Sequence, residues 1–227
     1  MSKQARLLAL ATLFVFFSLQ QQAQAQAEDV PRFEVGAQFS SLTIREPAFS
    51  NEFRTEPGFG GRVTFNFNSY LAAEAQVDFY PNDNGRGSVF SGGRTTNGLF
   101  GVKAGKRFER FGVFGKARPG FVRFGRTLSG LSLDPNTSSS QFPLVLPEYR
   151  ARTEFATDIG GVLEFYPTRR LVTRFDIGDT IIRYQDRTLM FPTFSPGPPP
   201  TTGVVFNTFP SETKHNFQFS AGIGFRF

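Results

Sequence analysis

The sequence predicts an all-β chain that closes into an eight-stranded antiparallel up-and-down transmembrane β-barrel, and three observations predict it. Segments long enough to be strands alternate apolar and polar side chains at period two. The connections between them alternate long, short, long, short, long, short, long. The closing stretch His215 to Phe227 places Phe217, Phe219, Ala221, Ile223, Phe225 and Phe227 on one face and Asn216, Gln218, Ser220, Gly222, Gly224 and Arg226 on the other. A lipid-facing wall of that kind satisfies its backbone only as a closed barrel.

The N-terminus reads as a secretory signal peptide over 1–27: Lys3 and Arg6 precede an apolar run from Leu7 to Leu19, and Ala25 and Ala27 supply small residues for cleavage. That run of 13 residues is too short to cross about 30 Å of hydrocarbon as a helix. The barrel domain is then 28–227. Loss of Lys3 and Arg6 lowers the formal charge from +6 by two, and the remaining bases form no cluster comparable to a nucleic-acid stripe. With export, this argues against DNA or RNA as a partner. The absence of Cys removes disulfides and thiolate metal sites. Thirty Phe and no Trp supply an apolar wall.

The first strand is Arg32 to Leu42, with Phe33, Val35, Ala37 and Phe39 opposed to Glu34, Gly36, Gln38 and Ser40. A Pro-bounded segment, Arg45 to Pro57, reads as a long loop. Phe59 to Asn66 is the second strand, and a tight turn through Tyr70 leads to the third, Leu71 to Tyr80. Pro81 to Arg94 has the Gly, Asn and Asp of loop chemistry. Thr95 to Lys106 is the fourth strand, and a reversal at Arg107 to Arg110 leads to the fifth, Phe111 to Phe124. Pro119-Gly120 interrupts this strand, so a bulge is expected there, with Val122 and Phe124 then outward and Arg123 inward. Arg126 to Tyr149 reads as a third long loop, Arg150 to Phe165 as strand six, Tyr166 to Arg170 as a turn, and Leu171 to Tyr184 as strand seven. Gln185 to Ser211, with Pro196 to Pro200, reads as the longest and least ordered loop.

An eight-stranded barrel has a lumen that side chains can fill. The polar faces direct Glu34, Glu74, Asp78, Glu154, Asp158, Glu164 and Asp176 inward against Arg62, Lys103, Lys116, Arg118, Arg152, Arg174 and Arg226. A balanced set is what pairing away from bulk water requires, so an interlocking ion-pair network that plugs the lumen is expected. No catalytic constellation is read: His215, the only histidine, lacks a third group to orient it, and Glu154 and Asp158 are better placed as network members than as an acid/base pair. The glycine runs lack the Lys-Ser/Thr of a phosphate loop, and Pro198-Pro199-Pro200 needs only the rigidity of an exposed loop. No cofactor and no metal are expected.

The closing strand, with its terminal Phe, and the alternation of connection lengths resemble small bacterial outer-membrane barrels of the OmpA- or OmpX-like type, without a peptidoglycan-binding domain. The resemblance implies a monomer in the outer membrane with both termini periplasmic, surrounded by membrane lipid and lipopolysaccharide. It also implies that Phe225 and Phe227 form the signal read by the barrel-assembly machinery, and that the role is structural or one of surface contact or adhesion through extracellular loops. The rival expectations are a narrow channel, a soluble lipocalin-type barrel with its apolar face inward, and a lipid A-modifying enzyme.

Overall fold

A computed structural model describes residues 30–45, 53–83, 88–133, 145–195 and 201–227. The signal segment 1–27 and Pro196 to Pro200 lie outside these residues. The barrel is built from β1 (Phe33–Arg45), β2 (Phe53–Asn66), β3 (Leu71–Tyr80), β4 (Thr95–Arg107), β5 (Phe111–Leu133), β6 (Val145–Phe165), β7 (Leu171–Tyr184) and β10 (Glu212–Arg226). Each strand pairs antiparallel with its neighbours, and β10 returns to β1, closing the sheet. Glu34 faces Arg226 and Val35 faces Phe225 across that seam, so the last strand completes every backbone ladder at once. Outside the barrel, β8 (Arg187–Ser195) and β9 (Thr201–Phe209) form a separate two-stranded sheet.

The alternation sorts side chains as lipid and lumen require. Phe33, Val35, Phe39, Phe59, Val63, Val77, Phe100, Ile159, Ile177 and Ile223 are exposed on the wall, while Glu34, Arg62, Glu74, Lys103, Asp158 and Arg174 are buried within. An apolar exterior around a charged interior inverts the layout of a soluble lipocalin-type barrel.

Several sequence expectations are corrected. No bulge occurs at Pro119: Arg118 faces Asp158, Pro119 faces Thr157 and Gly120 faces Ala156 in unbroken register. Pro119 is exposed on the outer face, and its missing N–H interrupts only the ladder to β4, between the pairs Leu99–Gly120 and Val102–Ala117. The strands close up there because Gly120 has no Cβ, which would come within 1.9 Å of the Gly98 carbonyl oxygen. Alternation therefore continues, with Val122 and Phe124 fully buried inside and Arg123 exposed. The register shifts lie further on, between Phe124 and Thr127 and between Leu128 and Gly130.

The long connections also hold more structure than their composition implied. β1 runs to Arg45 and β2 begins at Phe53, so Glu56 and Pro57 belong to a strand rather than a loop. β5 and β6 extend beyond the other strands as a paired ribbon, Leu128 facing Tyr149 and Leu133 facing Val145, where a loop was expected. The segment after β7 contains the β8–β9 hairpin, with Met190 paired to Phe206 and Pro192 to Val204. In the connection after β3, Gly93 has φ +67°, and Ser88 turns the chain back by donating from its backbone N–H to the Ser91 carbonyl oxygen at 2.8 Å.

Candidate functional site: the filled lumen and its two mouths

The interior is layered along the barrel axis. In the half carrying the termini, Arg174 is the hub, because β7 aims both Arg174 and Asp176 inward from alternate positions. Its Nε and Nη2 donate to the two Asp176 carboxylate oxygens at 2.7 and 2.8 Å. The far side of the same guanidinium grips Glu74 of β3 across the lumen, Nη2 reaching Oε2 at 2.9 Å and Nη1 contacting Oε1. Planar forks of this kind fix both partners. Lys103 joins Glu74 to Glu164, and Arg118 donates to Asp158 through Nε at 3.0 Å and Nη2 at 2.6 Å. Lys116 lies 3.0 Å from Asp158 and 3.3 Å from Asp176, and Arg62 reaches Asp176 at 3.6 Å. At the end of the layer, Glu34 receives Arg226 Nε at 3.2 Å and Arg107 Nη2 at 3.3 Å.

Three of the expected network members sit elsewhere. Asp78 accepts from amides rather than cations: from Gln38 and Gln76 at 2.6 Å each, and from Gln218 at 3.3 Å. With Tyr80, whose hydroxyl is 2.9 Å from Ser40 and 3.3 Å from Asn97, it forms an amide and hydroxyl belt above the charges. Arg152 and Glu154 make a separate ion pair at the far mouth, where Arg152 also donates to the Gln185 carbonyl oxygen at 3.0 Å.

Above the belt the lumen turns apolar. Leu42, Ile44, Tyr80, Phe90, Val122, Phe124, Ala156, Ile182 and Tyr184 form one buried cluster, with Val89 and Phe209 packed against it. Phe90 enters from the connection after β3, and its ring meets Tyr184 at 5.6 Å and Phe209 at 6.1 Å. Arg187 of β8 donates to the Val89 carbonyl oxygen, tying the outer hairpin to the same cap. Burial and the neighbouring Arg152 lower the pKa of the Arg187 guanidinium, with Glu154 opposing.

Sequence reasoning missed Arg107, Tyr166, Arg54 and Glu56. Arg107 was read as turn, yet it continues the inward parity of Lys103 by two further steps and donates to the Tyr166 hydroxyl at 2.9 Å. Arg54 and Glu56 continue the parity of Arg62 backwards along β2 and pair at 2.8 Å. Extending each alternation past the Pro and Gly positions would have found them. His215 is exposed on the outer face and lies 2.5 Å from Asp179 of β7. Among the described residues, no group of three His, Cys, Asp or Glu is placed to hold a metal ion.

A family model for the outer membrane protein beta-barrel domain matches residues 9–227. The chain belongs to that family. Its place is therefore the outer membrane, and the closed eight-stranded sheet is the family's barrel. No curated protein sequence matches the chain. Among solved structures, it is similar to Ail, the attachment invasion locus protein of Yersinia pestis, at 12% identity over 87% of this chain and 99% of that one, with a TM-score of 0.46. Neisserial surface protein A is similar at 11% identity over 86% and 97%, with a TM-score of 0.46. The N-terminal barrel of OprF from Pseudomonas aeruginosa is similar at 11% identity over 86% and 97%, with a TM-score of 0.43.

Proposed function

We propose that this outer-membrane barrel acts through contact at its outer surface and conducts nothing through its lumen. In this reading the termini and short turns face the periplasm, the long connections face outward, and the protein works as a monomer. The observation that carries the reading is the β8–β9 hairpin. It lies outside the barrel, leans on the extended β5, and buries Leu189 while leaving Met190, Val204 and Phe206 exposed. Phe206 is 66% exposed and paired to Met190, so apolar side chains project together from a hairpin that is separate from the barrel wall. Such a face is what a macromolecular contact buries. The ion pairs and the apolar cap support the closed lumen, since each fills the space that ions would need. The role is one of adhesion or surface contact, with no catalytic step.

Replacing residues 187–209 by a short Gly-Ser linker tests this. Cells carrying that variant are expected to lose surface attachment while the barrel still migrates as a folded, heat-modifiable species. Undiminished attachment would overturn the reading. In planar bilayers the intact protein is expected to give no conductance steps, and steps that disappear on neutralising Arg174 would establish the narrow channel instead.

A further inference from the structure

The mouth at the terminal end of the barrel is built differently from the other. A cavity of about 910 Å³ opens there, lined by Arg107, Arg169, Arg170 and Arg226 and bordered by Phe108, Phe225 and Phe227. Two of these arginines are fixed from below. The Arg107 side chain is only 6% exposed, with Nε on the Tyr166 hydroxyl and Nη2 shared between Glu34 and Asn66. Its Nη1 is buried with no hydrogen-bond partner among the described residues. Arg226 lies over the Tyr166 ring at 4.5 Å and spends its Nε on Glu34. The other two are presented by the turn before β7. Thr168 Oγ1 caps that turn by accepting from the backbone N–H of Arg170 at 3.3 Å and of Leu171 at 3.1 Å, and the Arg170 carbonyl oxygen accepts from the Arg226 backbone N–H at 2.8 Å.

Among the described residues, the lining therefore offers four guanidinium groups against a single acid, Glu109, while Glu34 is already engaged from below. Arg169 and Arg170 are exposed, so an anion entering the cavity meets their guanidinium groups first. Arginine forks match a phosphate oxygen pair. The apolar border selects the source of that phosphate. Phe225 and Phe227, with ring centroids 5.1 Å apart, and Phe108, stacked on Phe111 at 4.6 Å, are exposed where the apolar wall ends at this mouth, so a ligand with an acyl tail would lay it along the wall.

We propose that this mouth binds the phosphodiester headgroup of an anionic phospholipid, one without an ammonium group, drawn from the leaflet around the terminal end of the barrel. The leaflet's identity as the periplasmic one rests on the orientation proposed above. Basic pockets at a membrane surface hold such headgroups, each arginine strengthening binding by about fivefold.

The test uses the full folded chain in nanodiscs of equal phosphatidylglycerol and phosphatidylcholine with matched acyl chains, and measures which lipids are retained on stripping. Phosphatidylglycerol is expected to be enriched roughly fivefold or more. Its ratio should return to the bulk value in the R169A/R170A variant, which alters only exposed turn side chains. Equal retention of both lipids, or enrichment unchanged in the variant, would overturn the proposal. So would loss of the enrichment on adding inorganic phosphate at millimolar concentration, since a free anion would then be the ligand. The orientation is read separately: because the chain has no Cys, a Ser69→Cys label in another short turn reports it cleanly. Labelling of intact cells by an impermeant reagent would overturn the assignment to the periplasmic leaflet and leave the nanodisc preference standing, whereas protection supports it.

Discussion

The two halves of the lumen are held by opposite means. In the half carrying the termini, Arg174, Arg118, Lys103 and Lys116 are buried among Glu74, Asp158, Glu164 and Asp176, and the filling is cohesive because each charge has a partner fixed on another strand or two residues away. In the other half, Phe90, Phe124, Ile182 and Tyr184 close the barrel as an ordinary apolar core does. The charged half is directional and intolerant of a missing partner, whereas the apolar half loses stability in proportion to the volume removed. The belt of Asp78, Gln38, Gln218 and Tyr80 lies between them and grades charge into hydrocarbon through amides and hydroxyls.

The largest effect is expected from Glu74→Gln, which keeps the shape but strips Arg174 and Lys103 of a shared counter-charge. A loss of about 3–5 kcal/mol in unfolding free energy is expected from urea titration in detergent or vesicles. A cost no greater than that of a surface change would mean that pairing does not hold this half. Next comes Phe90→Ala, which empties the centre of the cap and should cost about 3 kcal/mol in the same titration. Because Phe90 bridges a loop and β7, this variant should also raise protease cleavage of the connection after β3.

Tyr80→Phe probes the boundary itself. Removing the hydroxyl shared by Ser40 and Asn97 should cost about 1 kcal/mol, between the effect on a full charge and none. The smallest change in stability, within about 0.5 kcal/mol, is expected for Phe206→Ser on the exposed hairpin. Surface attachment should nevertheless fall in that variant. A hairpin change that destabilised the barrel as much as Phe90→Ala would erase the distinction between cap and contact surface.

The wall and the inward set were legible in the sequence because a strand has a period of two: once Glu34 points inward, Val35 must point outward, and the same holds along β3, β7 and β10. The missed residues lay where local chemistry masked that period. Pro57 hid Glu56 and Arg54, and Pro119 led to the wrong face for Val122, Arg123 and Phe124. A proline on the outer face of a barrel removes one ladder bond and leaves the parity intact.

The sequence by itself determined the all-β class, the order of the barrel strands and, away from the prolines, which side chains share a face, because alternation and connection length are local properties of the chain. Tertiary structure alone decided who meets whom. That Arg174 grips Glu74 rather than Glu154, that Asp78 is served by amides, that Phe90 folds into the mouth and that four arginines gather around one cavity all depend on the register and closure of the sheet. Those are fixed only when residues as distant as Glu34 and Arg226 come to lie side by side.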